Sequence, residues 1–224
     1  MLDYVLSLNE KGGPVVTILL VLSVAALAMA LYKLWHFHRL GIGRHDAARD
    51  ALTLWQTGGP SPAALAKIDG RPGPLPVALA HAMRGMLYHP EKGKLVREDI
   101  DAVAGREIAA ARRGLRLIET VAQVAPLLGL FGTVIGMIDA FQALQAAGAM
   151  VDPSVLAGGI WVALLTTAVG LAIAIPCSLI ATWFDARIER EIETIEEMAT
   201  AILTGSLTAT GGAAERRSER IAAG

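Results

Sequence analysis

The chain has little of what most enzymes and secreted domains are built from. Its single cysteine, Cys177, lies in an apolar run, so no internal disulfide can form and the thiol reads as a small buried hydrophobe. No Cys/His cluster has metal-ligand spacing, and neither a Gly-rich phosphate loop nor a nucleophile elbow occurs. No metal, cofactor or catalytic constellation is therefore expected, and the chain is read as a non-enzyme. Charge is scarce too: 18% of the 224 residues are charged, against roughly a quarter in a soluble domain. The net charge of −1 leaves no basic excess to attract nucleic acid. What fills the gap is apolar, 54% of the chain, with a mean hydropathy of +0.49.

That apolar content falls into three runs. Pro14 opens the first, Val15 to Leu31, continued by an aromatic end through Tyr32 to Trp35. About 20 apolar residues cross a bilayer, and this run qualifies. Ala28-Met29-Ala30 resembles a leader cleavage site, but the preceding segment is not basic, so the run is read as a retained transmembrane helix. The second run, Thr120 to Phe141, carries Pro126, three glycines and Thr133, with Glu119 and Asp139 at its ends. The third, Val155 to Phe184, contains no charge and exceeds one bilayer thickness.

The second and third runs have given up bulk along one side. Steps of three and four return to the same helix face. Gly129, Thr133, Gly136 and Ala140 form one such stripe, and Glu119, Gln123 and Pro126 extend the polar side towards the N-terminus. In the third run Gly159, Ala163, Thr167, Gly170, Ala174 and Ser178 repeat the design, with Pro176 interrupting the ladder. Small residues let another helix, or water, approach closely. Periodicity alone fits both a tight helix–helix seam and the wall of a polar interior. Pro126 and Pro176 are expected to bend their helices.

Around these runs the chain divides as follows. Residues 1–13 are an external segment, either a short amphipathic helix or a tail; 14–35 are the first span. Residues 36–97 form a helical insertion, with short helices expected over Asp46 to Gln56 and Leu75 to Leu87. The pattern over 98–144 predicts one long helix entering the membrane, 145–153 a short loop, and 154–184 the third span. Residues 185–204 extend that helix with Ile188, Ile192, Ile195, Ala199 and Ile202 on one face, and 205–224 read as a flexible tail. Five histidines between His36 and His89 show no helical pairing and read as surface or packing residues.

Of twenty Lys and Arg residues, only Lys11 precedes the first span and none lies between the second and third. The positive-inside rule then predicts an external N-terminus, with the insertion and the C-terminus in the cytoplasm.

Two segments carry a resemblance: ETVAQVAPLLGLFGTVIGMIDAFQAL (Glu119 to Leu144) and LAGGIWVALLTTAVGLAIAIP (Leu156 to Pro176). In order, loop length and orientation they resemble the second and third membrane helices of the MotA/TolQ/ExbB proton-channel family, closest to its ExbB/TolQ branch. The resemblance implies an all-α membrane protein of the bacterial inner membrane, in which five copies form a helical barrel around single-span partners of ExbD/TolR type carrying a membrane Asp. It implies that proton flow drives a TonB-like or TolA-like envelope protein. The threonines of the matching motifs line the pore, which points to Thr133 and Thr167; Gly129, Gly136, Gly159 and Gly170 are then helix-packing positions. Val162 departs from the pattern, because ExbB and TolQ usually have glutamate there. The titrating carboxylate would then come from the partner, and Glu119 and Asp139 would be either pathway-mouth acids or interfacial acids held by arginine or water. Two other readings stand beside the motor: a non-conducting scaffold, and, less well matched by three spans, a flagellar-type stator subunit.

Overall fold

The computed structural model describes the backbone of residues 2–147 and 153–222, and side chains over 13–146, 153–154 and 156–205. Its described elements are helices: α1 (Leu2–Leu40), α2 (Asp46–Gly58), α3 (Pro62–Ala66), α4 (Pro74–Tyr88), a 3-10 turn (Pro90–Lys92), α5 (Gly93–Arg112), α6 (Leu115–Ala147) and α7 (Pro153–Ala222). Contacts divide the chain into two units, one comprising the residues up to Lys33 with Gly114–Phe184, the other Leu34–Arg113 with the chain from Asp185 onwards. Both α1 and α7 contribute to each.

Three segments, each running through the first unit, are long and apolar enough to cross a membrane: Gly13–Leu40, Leu115–Ala146 and Leu156–Gly205. Only 28%, 22% and 28% of their most apolar windows are buried by the chain itself, so most of this surface needs lipid or another subunit to cover it. The shared interior is narrow. Val15 and Leu19 of α1, Ala125 of α6 and Ala174 of α7 meet there, with Leu128, Ile135, Val169 and Ile173 packed around them. Outward-facing Val21, Val24, Leu27, Leu130, Phe131, Leu164, Ile175 and Leu179 are exposed. A kink at Gly13 (φ 64°, ψ −168°) sets residues 2–12 apart from the span, and Pro14 starts the new helix, where a missing N–H costs nothing.

In the second unit, Ala48, Ala51 and Trp55 are the buried face of α2. Pro62 and Pro74 sit at the starts of α3 and α4, and Ser61 Oγ caps α3 by accepting from the Ala64 N–H at 3.4 Å. The α4–α5 hairpin closes tightly: a side chain at Gly85 would meet Val96 Cγ1 at 2.6 Å. Val96, Ile100, Val103 and Ile108 of α5 are buried, as are Ile188, Ile195, Met198, Ala199 and Ile202 of α7.

Three expectations need correction. The single helix predicted over 98–144 is broken: Arg113 is extended (φ −55°, ψ 132°) and Gly114 is left-handed (φ 84°), ending α5 before α6 begins. Only glycine adopts that conformation without strain, so Gly114 is the breaker that the apolar periodicity concealed. Residues 205–222 are helical rather than a flexible tail, consistent with the high helix propensity of the Ala, Glu and Arg that follow Gly211-Gly212. The short loop starts later than 145, because α6 runs to Ala147; residues 148–152 lie outside the described residues.

Candidate functional site

The two small-residue stripes face each other within one chain. A Cβ added at Gly129 would lie 3.0 Å from the Thr166 carbonyl oxygen and from Thr167 Cα. At Gly170 it would lie 2.6 Å from the Ala125 carbonyl oxygen and 3.2 Å from Gly129 Cα. Gly136 abuts Ala163 (3.1 Å to its Cβ), and a methyl on Gly159 would collide with Ala140 Cβ. Backbone meets backbone along α6 and α7, the geometry that glycine permits in a membrane, where packing replaces the hydrophobic effect as the cohesive term.

Of the two stripe threonines, one bonds across this seam and the other within its own helix. Thr167 Oγ1 donates to the Gly129 carbonyl at 3.1 Å. Thr133 Oγ1 donates to Leu130 in its own helix at 2.7 Å. Neither is bonded to the other. Thr133 is partly exposed and borders a shallow groove on α6, lined with Val134, Met137, Ile138, Phe141, Gln142 and Gln145. With its proton committed to a carbonyl, each threonine oxygen keeps lone pairs that can accept from water or from a protonated carboxyl group.

Thr166, which lies beside the stripe rather than on it, is the more enclosed hydroxyl, 2% exposed. Its Oγ1 lies 2.7 Å from the Ala163 carbonyl and 3.1 Å from that of Gly129, so one proton is shared between two acceptors. Gly132 makes room for it: a Cβ there would meet Thr166 Oγ1 at 2.6 Å. Ala163 and Gly170 flank Thr166 by three and four residues and Thr167 by four and three, so the spacing does not tell the two hydroxyls apart.

Asp139 is exposed and Glu119 half-buried; among the described residues neither has an ion-pair partner, so the arginine-held arrangement is not seen. No Asp or Glu occurs between Thr120 and Ile138 or between Val155 and Phe184, and Val162 is a half-buried α7 residue. Pro126 and Pro176 lie inside unbroken helices, where each lacks the N–H that would bond the carbonyl of Ala122 or Ala172. Two buried charges have no counterpart among the residues singled out from the sequence. Lys33 near the end of the first span is 2% exposed, and Glu191 on the apolar stripe of α7 is 3% exposed, accepting from His45 Nε2 at 2.9 Å and the Gly43 N–H at 3.1 Å.

Three apolar helices, two of them joined through a glycine–threonine seam free of internal carboxylates, define a multi-pass membrane protein. Comparison with known proteins gives the family. Residues 75–197, more than half of the chain, match the MotA/TolQ/ExbB proton channel family, and the chain belongs to it. Among its relatives, an ExbB-like biopolymer transport protein of Synechocystis is 37% identical over 172 residues, which cover 74% of this chain and 64% of that protein. The biopolymer transport protein exbB1 of Vibrio cholerae is 34% identical over 172 residues, 73% of this chain and 72% of that one. The Tol-Pal system protein TolQ of Haemophilus influenzae is 45% identical over 71 residues, 32% of this chain and 31% of its own length. The chain thus spans a little under two thirds of the Synechocystis relative.

Proposed function

We propose that this chain is the multi-span subunit of an ion-driven motor of ExbB/TolQ type, which uses the proton motive force at the bacterial inner membrane to energise TonB-dependent transport or Tol-Pal function. The observation that carries this reading is the α6–α7 seam: hydroxyls at Thr133 and Thr167 on helices matched by the family, with no carboxylate in either apolar stretch. A proton crosses hydrocarbon only through groups that can bind it or through water they order. The titrating acid therefore comes from a partner, a single-span ExbD/TolR-like subunit with a membrane Asp. Thr133 and Thr167 accept hydrogen bonds from it or from bridging water, and Glu119 and Asp139 stand at the two mouths.

The same reading makes the assembly a homo-oligomeric barrel of five copies, whose walls cover the apolar surface that one chain leaves exposed. The N-terminus is periplasmic, and the second unit and C-terminus are cytoplasmic, following the distribution of Lys and Arg. The test replaces both threonines with valine, which removes the hydroxyls at similar volume. Energy-dependent transport by the partner system falls by at least about a hundredfold, the lower end of what a positioned proton-transfer group contributes. Unchanged transport would remove Thr133 and Thr167 from the pathway.

Val162 favours a second reading, a scaffold that assembles and docks its partners without conducting ions. Proton flux in vesicles separates the two: flux that depends on the co-expressed partner excludes the scaffold.

A further inference from the structure

We propose that the turn joining α1 to α2 is a docking patch for the phosphate of an anionic phospholipid headgroup. Its residues, His36 to His45, include two arginines and three histidines and no acid. The turn lies where the apolar span Gly13–Leu40 ends. Trp35 marks the same level: it is 55% exposed, and an indole with one apolar and one polar side favours the headgroup zone. The Arg39 guanidinium stands 5.1 Å from the centroid of the Trp35 ring, which holds its charge beside the aromatic.

The backbone then folds a second arginine back onto the end of α1. α1 ends in a Schellman turn, with Ile42 N–H bonded to the Phe37 carbonyl and Gly41 N–H to that of His38, both at 3.3 Å. Gly41 (φ 67°) and Gly43 (φ 85°) take left-handed conformations that let the chain reverse. Arg44 Nη2 consequently donates to the His38 carbonyl at 3.2 Å, placing its guanidinium at the end of α1, the helix that carries Arg39. Arg187 of α7 adds a third charge, its Nη1 2.5 Å from where a Cβ on Gly43 would be.

Neutralisation from within the protein is missing at the first two. Among the described residues neither Arg39 nor Arg44 has an acidic partner. Glu191, the acid that reaches the turn, is buried and its Oε2 is already engaged by the Gly43 N–H and His45. That engagement holds the turn against α7, so the arginines are presented on a fixed backbone. A guanidinium fork matches the oxygens of a phosphate better than it matches a zwitterionic headgroup, whose own ammonium repels it. The inference needs only that the spans lie in a bilayer; it does not depend on proton conduction.

The test uses the full chain in mild detergent, titrated with phosphatidylglycerol or phosphatidylcholine and read by native mass spectrometry. Wild type binds phosphatidylglycerol in preference to phosphatidylcholine, and R39Q/R44Q loses affinity by about fivefold per arginine removed, some twentyfold in all. R39K/R44K keeps the charge without the fork and binds phosphatidylglycerol between wild type and R39Q/R44Q, which separates loss of charge from loss of fold. R97Q is the control and behaves as wild type, since Arg97 lies on α5 outside the turn and already has an acidic partner, Asp101, at 3.9 Å. Equal binding of the two lipids by wild type, or full retention by R39Q/R44Q, overturns the proposal. So does competition by inorganic phosphate at the lipid's own concentration, because a patch built for headgroups gains most of its affinity from the anchored lipid.

Discussion

Gly170→Ala tests the α6–α7 seam most severely, because both obstacles to the new methyl are main chain. Its Cβ would lie 2.6 Å from the Ala125 carbonyl oxygen and 3.2 Å from Gly129 Cα, where ordinary contact begins near 3.4 Å. No rotamer change relieves this, so the helices must part by the better part of an ångström, which also stretches the Thr167–Gly129 hydrogen bond of 3.1 Å. Overpacking of this kind costs about 1–3 kcal/mol, and the stretched bond adds about 0.5 kcal/mol. The matched control is Gly158→Ala in the same helix, where an added Cβ meets nothing within 4 Å. It should be neutral or stabilising by up to about 1 kcal/mol, the propensity difference between glycine and alanine. Unfolding of both variants in mixed detergent micelles, followed by circular dichroism, reads the difference. Equal stability of the two would refute the close approach of α6 and α7.

Three further substitutions follow from the same geometry. Thr166→Val keeps the volume and removes the hydroxyl shared between Gly129 and Ala163; it should cost about 0.5–1.5 kcal/mol in micelle unfolding, with Thr166→Ser close to wild type. Glu191→Ala removes the acceptor of the exposed Gly43 N–H and of half-buried His45, both of which water can partly satisfy, and should destabilise the second unit by about 1 kcal/mol, with faster hydrogen exchange at Gly43, while Glu191→Gln retains an acceptor and loses less. Gly114→Ala forces a side chain into a left-handed residue (φ 84°) and against Met29 Sδ at 2.8 Å, so it should cost at least about 1–2 kcal/mol, whereas Gly105→Ala in open space within α5 is neutral or better. If Gly114→Ala matches Gly105→Ala, the break between α5 and α6 is not a fixed feature of the fold.

Much of this architecture is legible in the sequence because bilayer physics leaves few choices. Runs of the length of Val15 to Trp35 and Val155 to Phe184 read as spans, and the steps of three and four through Gly129 and Gly170 mark a small-residue face without saying whether a helix or water covers it. The α7 stripe through Ile188, Ile195 and Ile202 is equally plain. The features that are not legible depend on single residues whose meaning is three-dimensional. Gly114 looks like one more small residue in an apolar helix until its positive φ ends α5. Thr166 and Thr167 are adjacent in sequence, and only the rotation of α7 against α6 decides which hydroxyl is enclosed. Glu191 is three residues after Ile188 and four before Ile195, on the stripe rather than beside it, but its burial makes sense only once a turn 146 residues earlier brings His45 to it.

The central claim is that the charge that moves is not on this chain, while Thr133 and Thr167 line its path. Proton flux into vesicles holding the chain with or without the proposed single-span partner measures this directly. The account predicts flux only when the partner and its membrane Asp are present, and its loss in Thr133→Val/Thr167→Val with the complex still assembled. Flux from this chain alone, or undiminished flux through the double variant, would contradict it.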